Sequence, residues 1–139
     1  MNVSFYQKNA NPKLSNRKVL KTFIQYIFKK ENKKINKLDY IFCTDDFLLK
    51  INQQYLKHNY FTDIISFNLS ENINSIIGEV YISIDRIKEN AQQFKTSYQQ
   101  ELHRVIFHGA LHLCSYKDKS KKDQTLMRKR EDFYLKRYF

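Results

Sequence analysis

Only two glycines and one proline occur among the 139 residues, and tryptophan is absent. So little turn-forming and chain-breaking material excludes a Gly/Pro-rich linker, a low-complexity tail and the second module such a linker would join. Cysteine is equally scarce. Cys43 and Cys114 have no CxxC spacing, which excludes a disulfide framework and predicts a reduced, cytoplasmic protein. No basic-then-apolar leader opens the chain and no apolar run approaches the length of a membrane span, so no membrane partner is expected. Acidic residues are also few, 14 against 25 Lys and Arg.

What is present is a chain with 42% apolar and 15% aromatic residues, enough for one domain with a substantial core. The formal charge is +11, which suits a polyanionic partner such as RNA. The excess is concentrated: residues 8 to 34 hold nine Lys/Arg against one acid, and residues 117 to 137 hold nine against four. With ten Tyr and eleven Phe but no Trp, most aromatic rings are expected in the core.

Read in order, Val3 to Tyr6 suggests a first strand, and Leu20, Phe23, Ile24, Ile27 and Phe28 mark an amphipathic helix from about Leu14 to Glu31. Leu38 to Cys43 reads as a strand, and Thr44 as the N-cap of a helix that runs to about Leu56, with Asp45 and Asp46 at its positive end. Ile64 to Leu69 and Ile76 to Ser83 read as strands joined in an antiparallel hairpin. Ile84, Ile87, Ala91 and Phe94 mark a short helix, and Leu102, Val105, Ile106 and Leu113 a longer one, with Thr96-x-x-Gln99 or Ser97-x-x-Gln100 as its capping box. Ser120-x-x-Asp123 caps a last helix whose apolar side holds Leu126, Met127, Phe133, Tyr134 and Tyr138. The expected fold is therefore α+β: a small four-stranded mixed sheet packed with about five helices, in one domain spanning residues 1–139.

Chemistry concentrates in His108-Gly109-Ala110-Leu111-His112 and the residues after it. Four positions apart on a helix, the two imidazoles point about 40° from each other and can share one ion. Glu101 and Arg104 lie on the same line, which borders the buried face about 110° away, as at the mouth of a cleft. Asp118 lies far enough past His112 for the chain to turn back and offer a carboxylate, completing a two-histidine, one-carboxylate set with an open position. Gly109 inside a helix implies another backbone packed closely against it. Cys114 points away from the histidines and reads as a packed thiol. His58 and His103 read as surface or structural.

His108-Gly109-x-Leu111-His112-Leu113 with Tyr116, together with Asn52-x-x-Tyr55, Thr62-Asp63-Ile64-Ile65-Ser66-Phe67 and Gly78-Glu79-Val80 upstream, resembles the YbeY family of rRNA maturation endoribonucleases. The likeness spans about residues 38 to 139 in the same order and spacing. It implies a zinc-dependent hydrolase acting on single-stranded rRNA of the small ribosomal subunit, with one zinc ion held by His108, His112 and Asp118 and no nucleotide cofactor. Asp118 stands where the family usually has a third histidine, and Ser115 where it usually has a glycine in a left-handed turn. Leu56 replaces an arginine held to face the RNA, and Lys57 or a neighbour is the candidate to stand in for it.

The implied reaction is phosphodiester hydrolysis by zinc-activated water. Glu79 is a candidate for secondary proton transfer, with a purely structural acceptor as the other reading. Asp63 either orients a ligand histidine or caps a turn. Tyr116 is the candidate for stacking on unpaired bases, and lysines for phosphate contacts. Two other functions fit parts of the pattern. A zinc peptidase shares the ligand spacing, but its general-base glutamate would follow the first histidine, where Gly109 stands. A non-catalytic RNA-binding assembly factor would use the metal only as a brace, which calls for a fourth protein ligand.

Overall fold

Along Ile76–Ser83, buried residues alternate with half-buried ones until the last two, and this strand organises the molecule. In the computed structural model, which describes residues 2–139, the elements are β1 (Val3–Gln7), α1 (Arg17–Lys30), β2 (Ile35–Cys43), α2 (Asp45–Leu56), β3 (Ile64–Asn68), β4 (Ile76–Ser83), α3 (Ile84–Gln93), α4 (Tyr98–Leu113) and α5 (Lys121–Tyr138). The sheet order is β1-β2-β4-β3. β1 and β4 both run parallel to β2, and β3 runs antiparallel to β4 with Ser66 opposite Val80. The α+β expectation with a four-stranded mixed sheet and five helices therefore holds, hairpin included.

The pleat divides the interior into two layers. Leu38, Tyr40, Phe42, Ile76, Val80 and Ile82 face the main core, shared with α1, α3, α4 and α5. Cys43, Ile65, Phe67 and Tyr81 face a smaller layer under Phe47, Leu48 and Ile51 of α2. The buried Tyr40 hydroxyl donates to the Ile106 carbonyl at 2.8 Å, which pins α4 to the sheet and satisfies a polar group that burial would otherwise penalise.

Side-chain caps begin the helices where sequence chemistry places them. Thr44, Ser97 and Ser120 accept from the backbone N–H of Phe47, Gln100 and Asp123. Three expectations need correction. α1 starts at Arg17, because Asn16 accepts from the Val19 N–H and Lys13 is left-handed. Leu126 is half exposed, since the buried stripe of α5 is Met127, Glu131 and Tyr134, and Leu126 lies about 100° off it. Gly109 meets side chains and not a backbone: a Cβ there would stand 2.9 Å from Val80 Cγ1 and 3.1 Å from Ile64 Cδ1.

Candidate functional site

The close approach at Gly109 sets the site. It lets α4 lie directly against β3 and β4, so that His108 and His112 on its flank open into a cleft of about 300 Å³ walled by the end of α2, residues 58–62 and β3. Beyond α4 the chain turns at Ser115, which adopts φ 80°, while the Tyr116 N–H bonds to the Leu111 carbonyl. That turn returns Asp118 to the same cleft, with its Oδ2 3.2 Å from His108 Nε2. The histidine rings meet edge to face with centroids 6.3 Å apart.

Behind His108 lies a buried ionic chain, of which the sequence placed Glu101 and Arg104 on the histidine line but did not reveal Glu131. His108 Nδ1 is 2.6 Å from Glu131 Oε2, and Arg104 Nη1 donates to the other oxygen of Glu131 at 3.1 Å. Arg104 also donates through Nε to Glu101 Oε1 at 2.9 Å, and its Nη2 bonds Oε2. Glu101 and Glu131 are each 2% exposed, so their carboxylate oxygens rely on these partners, not water, for hydrogen bonds. The signal for Glu131 was present: a glutamate within the apolar stripe of a helix, between Met127 and Tyr134.

Electrostatics follow from this arrangement. Burial pushes the His108 pKa down, but the Glu131 hydrogen bond and charge, with Asp118 and Asp63, outweigh burial and raise it. Burial likewise would raise Glu131, yet His108 and Arg104 bring it below the ordinary carboxylate range. His112 reaches solvent on one side, but the protein crowding its ring and the positive charge of His108 lower its pKa. Asp63 is raised, chiefly by desolvation. Its Oδ2 accepts from Asn90 Nδ2 at 3.3 Å and its carbonyl from the Ser83 N–H, so it braces the start of β3 and acts on His108 only through its charge.

Not every expected residue reaches the cleft. Glu79 points to the opposite face of the sheet, because the pleat that turns Gly78 and Val80 toward α4 turns Glu79 toward α2; there it accepts from the Tyr81 hydroxyl at 3.1 Å. Tyr116 is half-buried with its hydroxyl donated to Glu31 Oε1 at 2.8 Å, so its ring serves packing outside the cleft. Lys57 is exposed, left-handed, and ends α2 between Leu56 and His58, which both line the cleft. His103 is buried, its Nδ1 2.7 Å from the Gln99 carbonyl oxygen. Cys114 is a buried free thiol, pushed up to about 12 by burial first and by Glu31 second. His58, read as surface or structural, lines the cleft together with Tyr60.

Two imidazoles and a carboxylate on one cleft wall fit zinc in donor type. Glu131 occupies Nδ1 of His108 and leaves Nε2 directed at the cleft beside Asp118, and the buried Ser66 hydroxyl in the same cleft has no protein partner. Among the described residues no group of three or more His, Cys, Asp or Glu side chains is drawn together closely enough to enclose an ion.

A profile of the family described as Endoribonuclease YbeY matches residues 2–139. The chain belongs to the YbeY endoribonuclease family. It is 45% identical over 133 residues to the Endoribonuclease YbeY of Cytophaga hutchinsonii, covering 96% of this chain and 93% of the relative. With the Flavobacterium psychrophilum YbeY endoribonuclease it shares 50% identity over 114 residues, or 82% and 81% of the two chains. A solution structure from Thermotoga maritima has the same fold, with a TM-score of 0.68 and 25% identity over 98% of this chain and 88% of that one. No helix among the described residues is long and apolar enough to cross a membrane.

Proposed function

We propose that this YbeY-family chain hydrolyses phosphodiester bonds of single-stranded rRNA in the maturation of the small ribosomal subunit, at the 3′ end of its rRNA, in the cytoplasm, with one zinc ion as cofactor. The observation that carries this reading is the placement of His108, His112 and Asp118 on one cleft, with His108 anchored from behind by buried Glu131. His108 Nε2, His112 and Asp118 would hold the ion. When bound, zinc supplies Lewis acidity toward a phosphoryl oxygen and activates water near neutral pH.

The chain's own residues do the rest. Glu131 keeps the proton of His108 on Nδ1 and fixes the ring plane, so that its donor nitrogen is presented without a search through rotamers. Asp118, on the turn made by Ser115, adds a negative charge that favours a divalent cation. A cleft of about 300 Å³ suits an unstacked nucleotide far better than a duplex, and the net charge of +11 supplies phosphate affinity that falls as salt rises.

The test is cleavage of a labelled single-stranded RNA by the protein and by His112→Ala, prepared side by side, after chelation and with zinc restored. Zinc-restored cleavage that the variant lacks is the expected result. Equal behaviour of the two would sink the hydrolase reading in favour of an RNA-binding assembly factor.

A further inference from the structure

The loop that follows α2 carries two aromatic rings that contribute little to the core. His58 and Tyr60 stack with centroids 5.2 Å apart and planes 20° from parallel, and Tyr60 is 57% exposed. A 3.0 Å contact between the Tyr60 hydroxyl and His58 Nδ1 holds the rings in register.

This loop is not loose. Asn52, 2% exposed on α2, clamps it twice: its carbonyl accepts from the His58 N–H at 3.1 Å and its Nδ2 donates to the Tyr60 carbonyl at 2.9 Å. A third tie joins Gln53 Nε2 to Asn59 Oδ1 at 2.6 Å. The backbone is thus fixed so that a stacked aromatic pair stands in water, in the same cleft as His108 and His112. Leu56, 41% exposed, adds apolar surface at the lip, and the unpartnered Ser66 hydroxyl offers a hydrogen bond inside.

We propose that the His58–Tyr60 pair is a nucleobase platform, on which one unpaired base of the RNA stacks so that an adjacent phosphodiester lies against the histidines. The inference rests on the reading of the cleft as an RNA-cleaving site. The chemistry matches a base: every nucleobase offers a flat π-face, stacking is tolerant of sequence, and a pre-ordered ring loses little entropy on binding.

The probe is a short single-stranded oligoribonucleotide carrying 2-aminopurine, titrated in chelator so that it is not cut, with zinc-restored cleavage measured in parallel. Tyr60→Ala should bind about tenfold more weakly and lose most of the 2-aminopurine quenching, and Tyr60→Phe should restore most of both. Tyr60 is exposed, so the alanine variant keeps its fold, which far-UV circular dichroism checks. Unchanged affinity and quenching in Tyr60→Ala, while the unaltered protein still cleaves, would overturn the platform alone. Binding lost in Tyr60→Ala by a protein that never cleaves would support the platform and sink the nuclease reading. No binding by the unaltered protein would overturn the platform, and absence of zinc-restored cleavage as well would remove the nuclease reading with it.

Discussion

His108 Nδ1 lies 2.6 Å from Oε2 of Glu131, a carboxylate 23 residues further along the chain and almost wholly buried. That contact joins α4 to α5 and decides which nitrogen of His108 faces the cleft. It also sets the site's charge, since Arg104 shares Glu131 with His108 and leans on Glu101 for the rest.

Replacing Glu131 by Gln keeps the shape and removes the charge. Zinc affinity, measured by competition with a chromophoric chelator, should fall about 10- to 100-fold, while Arg104 keeps its Glu101 partner and the fold persists. An unchanged affinity would mean that Glu131 only braces the helices.

Gly109→Ala pits two effects against each other. Alanine is favoured over glycine in a helix by about 1 kcal/mol, but overpacking a tight core costs about 1–3 kcal/mol. The new Cβ would press on Val80, which is fully buried and cannot yield. Lower stability in urea denaturation is expected, and a gain would show that β3 and β4 relax readily.

Ser115→Gly should act in the opposite direction. A side chain in the left-handed region costs roughly 1–2 kcal/mol; glycine relieves that strain, but the larger entropy of its unfolded chain offsets part of the gain. A net gain of about 0.5–1 kcal/mol, with the Asp118 turn unaltered, is the expected outcome of thermal unfolding. No gain would mean that the Ser115 hydroxyl compensates the strain.

Glu31 offers a test by pH. Burial would raise its carboxyl, but hydrogen bonds from Tyr134, Arg130 and Tyr116 outweigh burial and hold it below its ordinary range. A depressed folded pKa contributes stability that is present above the unfolded value, near 4.5, and is lost as pH falls through the folded value. The protein should therefore exceed Glu31→Gln in melting temperature at neutral pH, with the gap closing below about pH 4. A gap constant with pH would assign the difference to packing. Tyr116 belongs to this cluster, which holds its hydroxyl on Glu31 outside the histidine cleft.

Local chemistry in the chain was enough for the elements and for the histidine pair. Period-two runs, period-3.6 runs and Ser, Thr or Asn caps act over a few residues, so β4 and α2 could be read to their ends and His108 and His112 to one helix flank. The Gly109 position could be recognised as a close approach, though not what approached it. Sheet order, the face of Glu79 and the partner of Tyr116 depend on contacts between residues far apart in sequence. A pleat's direction is set only when the strand docks, because the period of two leaves both faces open until one is chosen. The same limit hid Glu131, whose pairing with His108 exists only once α5 lies on α4, and His58 and Tyr60, which become part of the cleft only when Asn52 ties their loop back onto α2.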